Sequence, residues 1–176
     1  MEQEGVLILA TQRCAGTNIS KGIASHYNKK YIHEPNLVNV QWATDDVVKL
    51  ISNMSSFPKY VSKFKNIILI TRRDLASAKE SLGFLYYNYG NHKFDQTWNS
   101  NKIETVKKSK EYISAAARVD HCTKCLNFLS KELNIPIEYT EDILIDKKFK
   151  YSNIQIDSKY LAPELKLRST WNETTI

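Results

Sequence analysis

Val6 to Ala10 (VLILA) is apolar at every position, and so is the centre of Asn66 to Thr71 (NIILIT). Short runs of this kind, without alternation and bounded by polar residues, mark strands buried on both faces of a parallel sheet. After the first run a polar loop, Thr11 to Gly16, leads into Thr17 to Tyr27, where Ile19, Ile23 and Tyr27 recur at a spacing of four and predict a helix face. Lys30 to His33 reads as a short second strand, which Pro35 ends. Asp45 to Met54 is expected to be a helix, with Val47, Val48, Leu50, Ile51 and Met54 apolar and Thr44 or Asp45 as cap.

The second run leads to Asp74, a helix start, and then to Leu75, Ala78, Leu82 and Leu85 at helical spacing. Tyr89 to Asn101, rich in Asn, Gly and aromatic residues, reads as a loop and a candidate substrate wall. One long helix is expected from about Ile103 to Leu133, carried by Tyr112, Ala116, Val119, Leu126, Leu129 and Leu133. Pro136 opens a last strand, Ile137 to Tyr139, and Glu141 to Ile145 turns helical; the tail from Tyr151 carries little pattern. Strands alternating with helices predict an α/β fold, a three-layer α/β/α arrangement around a mainly parallel sheet, whose ligand site lies beyond the carboxyl ends of the strands. The 176 residues suit one domain.

Composition narrows the function classes. With 25 Lys plus Arg against 19 Asp plus Glu, the net charge is +6. The lysines are spread out, with only local pairs such as Lys29-Lys30, Lys107-Lys108 and Lys147-Lys148. A nucleic-acid groove would concentrate them, so the charge points to an anionic small ligand and not to nucleic acid. Gly5 to Ala10 and Ile67 to Ile70 are far shorter than the roughly 20 residues that span a bilayer. The acidic start, Met-Glu-Gln-Glu, carries no export signal, so the expected location is the cytoplasm. Three cysteines, Cys14, Cys122 and Cys125, are not a disulfide framework. His121 to Cys125 (HCTKC) lacks a second ligand pair for zinc, so its cysteines are assigned to a helix core face, with no metal site.

Two segments carry candidate chemistry. TQRCAGTN, Thr11 to Asn18, joins a buried strand to a helix. Ala15 and Gly16 let backbone approach a ligand, the helix start offers amides and a positive dipole end, and Arg13 can fork onto two oxygens of a phosphate or sulfate. The layout is that of a P-loop, but the Gly-Lys-Ser/Thr of the ATP-binding form is replaced by Gly16, Thr17 and Asn18. ITRRDLASAKES, Ile70 to Ser81, repeats the strand-to-helix plan, and Ser81 falls eight residues after Arg73.

Together these segments resemble the PAPS-dependent sulfotransferase superfamily, PAPS being 3′-phosphoadenosine 5′-phosphosulfate. Arg13, Cys14, Ala15, Gly16, Thr17 and Asn18 resemble the loop that cradles the 5′-phosphosulfate, and Arg73 with Ser81 resembles the 3′-phosphate motif. YTEDI, Tyr139 to Ile143, and HEP, His33 to Pro35, resemble the family's late strand and the acidic loop after its second strand. Arg168 resembles a late basic residue that closes over the 3′-phosphate. The resemblance implies sulfuryl transfer from PAPS as co-substrate, without a metal, to a small-molecule or glycan acceptor. It also implies a base opposite Arg13, for which Glu34 and His33 are the candidates. A P-loop kinase and a non-catalytic nucleotide-binding protein are the alternative readings.

Overall fold

A computed structural model describes residues 4–35, 43–53, 61, 63–90 and 100–161. Among these residues a five-stranded sheet is formed by β1 (Val6–Ala10), β2 (Tyr31–His33), β3 (Val47–Ile51), β4 (Asn66–Thr71) and β5 (Ile137–Tyr139). The strand order is β2-β3-β1-β4-β5, and every pairing is parallel. Helices among the described residues include α1 (Gly16–His26), α2 (Leu75–Gly90), α3 (Ser100–Lys107), α4 (Lys110–Leu133) and α5 (Thr140–Asp146).

Period-two alternation sends the central strand's side chains to two cores. Val6, Ile8 and Ala10 pack with Ile19 and Ile23 of α1, Ile143 of α5, and Phe149, Ile154 and Ile156. Leu7 and Leu9 pack on the other face with Val48, Leu50, Leu126 and Leu129. Helices thus cover both faces of the sheet, as the apolar runs of β1 and β4 require. Each large side chain removed from water contributes roughly 1.5–3 kcal/mol.

Two expectations are overturned. Asp45 to Met54 is not a helix, since its centre is strand β3, buried at Val47 through Leu50; Met54 lies outside the described residues. Val47, Val48 and Ile51 are β-branched, and the strand is walled by β1 and β2, so pairing overrides the helical spacing that Lys49 imitates by interrupting the apolar run. The single helix over Ile103 to Leu133 is divided. Ser109 is extended (φ −71°, ψ 149°) and accepts a hydrogen bond from the Tyr112 amide, which makes it the cap of α4.

The expected loop from Tyr89 is helical through Gly90, with residues 91–99 outside the described residues. The tail has structure where described. Residues 153–161 lie along α1, with Asp157 accepting from the Ser25 hydroxyl at 2.8 Å and its amide donating to the Gly22 carbonyl at 3.1 Å. A Cβ on Gly22 would stand 2.6 Å from Ile156 Cγ2, so this seam needs glycine. No described helix is long and apolar enough to cross a membrane.

Candidate functional site

The order of the strands reverses direction at β1, so the connections after β1 and β4 leave the sheet on opposite sides and open a crevice between them. A cleft of about 560 Å³ lies there. Its walls include the whole turn from Thr11 to Asn18, together with His33, Glu34, Lys49, Arg72, Ser81 and Tyr86.

The turn after β1 is built from left-handed residues. Arg13 has φ 60° and Ala15 φ 57°, a region that side chains with a Cβ seldom occupy. Several ties hold it there. Cys14 Sγ donates to the Thr11 carbonyl at 2.9 Å, and the Thr140 hydroxyl donates to the carbonyls of Cys14 at 2.6 Å and Thr71 at 3.0 Å. The hydroxyls of Thr11 and Thr71 meet at 2.9 Å and join the ends of β1 and β4. Gly16 lets α1 approach the sheet, since a Cβ there would lie 3.0 Å from the Ala10 Cβ and 3.6 Å from Lys49 Cε. No side chain caps α1, and helix geometry gives the Gly16 and Thr17 amides no carbonyl of their own helix to bond.

Of the expected phosphate ligands, Arg13, Ala15, Gly16, Thr17, Asn18 and Ser81 all line the cleft, and Arg13 Nε donates to Ser81 Oγ at 2.8 Å. Cys14 lines the cleft as well. Its thiol is buried and pushed up in pKa by that burial. Arg168 lies outside the described residues.

Arg73 is the residue that the structure moves out of the site. Its guanidinium donates to both carboxylate oxygens of Asp142, each at 2.6 Å, and lies 4.3 Å from the centre of the Tyr139 ring. Half exposed, it does not line the cleft. The turn is fixed by carboxylates from α5: Glu141 accepts from the amides of Arg73 at 3.0 Å and Asp74 at 3.3 Å, while Asp74 caps α2 through Ser77. Tyr139 to Ile143 thus serves to anchor this turn.

Arg72 takes the inward position. Consecutive residues leaving a strand point to opposite sides, so fixing Arg73 outward turns Arg72 in. It is 3% exposed, and neither Nε nor Nη2 has a hydrogen-bond acceptor among the described residues. Asp74 at 3.8 Å and Glu141 at 4.0 Å offset its charge, but they are too far to accept its protons. Arg72 thus brings a buried positive charge to the wall of the cleft.

The opposite wall comes from β2 and β3. Glu34 follows β2 in a left-handed conformation (φ 43°), its amide bonded to the Lys49 carbonyl at 2.9 Å. Its carboxylate pairs with Lys49 Nζ, and His33 Nε2 is 3.7 Å from the same oxygen. His33 Nδ1 shares a 2.6 Å hydrogen bond with the Tyr31 hydroxyl, whose pKa burial raises, so that it keeps its proton. Lys49 is only 6% exposed. Sequence reasoning missed it because the segment was read as a helix; a lone lysine within a buried strand is the signal that marks it.

His121, Cys122 and Cys125 sit on α4. Cys122 is buried, its thiol pushed up to about 11 by that burial, and no group of three metal-binding side chains occurs among the described residues. No family model, curated protein or solved structure matches this chain.

Proposed function

We propose that the cleft binds PAPS and that the protein is a sulfotransferase acting on a hydroxyl or amine of a small-molecule or glycan acceptor. The observation that carries this reading is Arg72, a buried guanidinium that lines a crevice shared with Arg13, Ser81 and an uncapped helix start. The cleft volume suits a nucleotide-sized ligand. Two anionic groups on one ligand match the separate positive positions, the turn after β1 and the buried arginine after β4.

In-line sulfuryl transfer needs alignment, positive charge at the departing oxygen and a base for the acceptor's proton. The Gly16 and Thr17 amides with Arg13 hold the phosphate that departs, and Ser81 fixes the Arg13 fork. Arg72 takes the second anionic group in the role first expected of Arg73. Glu34 accepts the acceptor's proton, with His33 as its neighbour and alternative.

A competing reading is a P-loop kinase. Lys49 favours it, because a lysine from β3 reaches the turn whose own sequence lacks one. Calorimetry separates the two. The sulfotransferase reading expects saturable binding of adenosine 3′,5′-bisphosphate without magnesium, and no binding rejects it. ATP affinity that depends on magnesium would select the kinase.

A further inference from the structure

Lys49 is a cleft cation that is paired with a cleft carboxylate, Glu34. Arg72 Nε and Nη2 have no hydrogen-bond acceptor among the described residues, and Arg13 Nε donates to the Ser81 hydroxyl. Lys49 Nζ is closed onto Glu34, and its stem passes beside Gly16 at the mouth of the anion turn. Glu34 is held at that place by backbone and not by its side chain alone. Its amide is tied to the Lys49 carbonyl, its φ is left-handed, and its carboxylate meets Lys49 Nζ of β3. A non-glycine residue keeps such a conformation only where the surroundings over-determine it.

We infer that Lys49 is a third cationic seat for the anionic ligand, and that the Glu34 carboxylate is its placeholder, exchanged for a ligand oxygen on binding. The argument is one of compensation. A lysine with a side chain 8% exposed loses most of its hydration and needs an anion at all times. Glu34, one-third exposed, does not need Lys49, because water and His33 remain available to it. The pair is therefore asymmetric: the lysine keeps its place and changes partner, while the carboxylate swings out. Exchange has a direct consequence for the site. In the empty cleft Glu34 is engaged and cannot serve as a base. Once an anion occupies Lys49, the carboxylate is released toward His33 and the acceptor side, so that the base is armed only when the donor is bound.

This inference rests on the proposed anion site but not on the identity of the nucleotide, so two probes are used, pyrophosphate and adenosine 3′,5′-bisphosphate. If the Lys49–Glu34 contact is closed about nine-tenths of the time, its removal tightens anion binding about tenfold. Calorimetry is thus expected to show Glu34→Gln and Glu34→Ala binding both probes about tenfold more tightly than wild type. Lys49→Met is expected to weaken both, and Glu34→Gln is expected to add nothing in the Lys49→Met background. Unchanged affinity in both Glu34 variants overturns the exchange, as does an equal gain with Lys49 removed, which would be general electrostatics. A gain for pyrophosphate with no preference for the bisphosphate leaves the exchange standing and removes the nucleotide reading. Wild type and Glu34 variants that bind neither probe overturn both.

Discussion

The turns after β1 and β4 follow one plan, a buried strand running directly into a helix, yet they treat the helix start in opposite ways. At the first, α1 has no side-chain cap, and Gly16, Thr17 and Asn18 line the cleft. At the second, Asp74 caps α2 and Glu141 occupies the amides of Arg73 and Asp74. The second turn carries its own anion, whereas at the first we propose that a ligand takes that position. A strand-to-helix turn with an arginine is therefore not enough to locate an anion site. What decides is whether the fold already supplies a carboxylate to its amides and guanidinium.

The sharpest way to break this contrast is to remove the two neighbouring arginines separately. Arg72→Ala is expected to weaken adenosine 3′,5′-bisphosphate by about 30-fold or more, the equivalent of about 2 kcal/mol for a buried charged contact. Arg73→Ala is expected to change it less than about threefold, since its half-exposed guanidinium spends itself on Asp142. Equal losses would erase the distinction.

Thr140 couples the turns through a single hydroxyl that reaches the carbonyls of Cys14 and Thr71. Thr140→Val leaves both acceptors buried without that donor, and a stability loss of about 2 kcal/mol is expected in urea unfolding. Thr140→Ser is expected to restore most of it. A valine variant as stable as wild type would show that the turns stand independently.

Gly16→Ala probes the first turn alone. The added methyl meets Ala10 Cβ at 3.0 Å and Cys14 Sγ at 3.5 Å, so α1 must shift away from the sheet, at about 1 kcal/mol. The expected reading is a modest fall in unfolding midpoint with a larger fall in anion affinity. Affinity at the wild-type level would place the anion elsewhere.

Acid separates the turns more gently. Asp74 is held below the usual carboxylate range by the Ser77 hydroxyl and amide, and Asp142 by the Arg73 guanidinium. For depressed carboxylates the stabilisation is present above the unfolded value, about 3.9, and is lost as pH falls through the folded one. Amide exchange at the start of α2 is therefore expected to quicken below about pH 4, relative to the start of α1, which no carboxylate caps. Simultaneous loosening of both starts would contradict it.

Most of the frame could be read from residue pattern, and the reasons for the misses are specific. β1 and β4 are legible because both faces are buried and no polar residue interrupts them. β3 is interrupted by Lys49, and that interruption hid both the strand and a cleft residue at once. The expected helix over Ile103 to Leu133 conceals a break because Ser109 acts as a cap only once the chain turns there. The choice between Arg72 and Arg73 was not legible at all. Both are equal in type and adjacent, and the choice is made by Asp142 and Glu141, almost 70 residues further along. Thr140 and the buried Glu138, which accepts the amides of Lys150 and Tyr151, are likewise defined by partners that only the fold brings near.

The position of β1 has a consequence for how the molecule is made. It is the middle strand of the sheet, bonded to β3 on one side and β4 on the other, and it leaves the ribosome before either. Parallel pairing of strands distant in the chain closes large loops before it returns any stability, which slows folding. The nascent chain therefore exposes its most apolar segment until residue 71 has emerged. During that interval VLILA lacks the neighbouring strands that bury it, and a segment this apolar is open to non-native association.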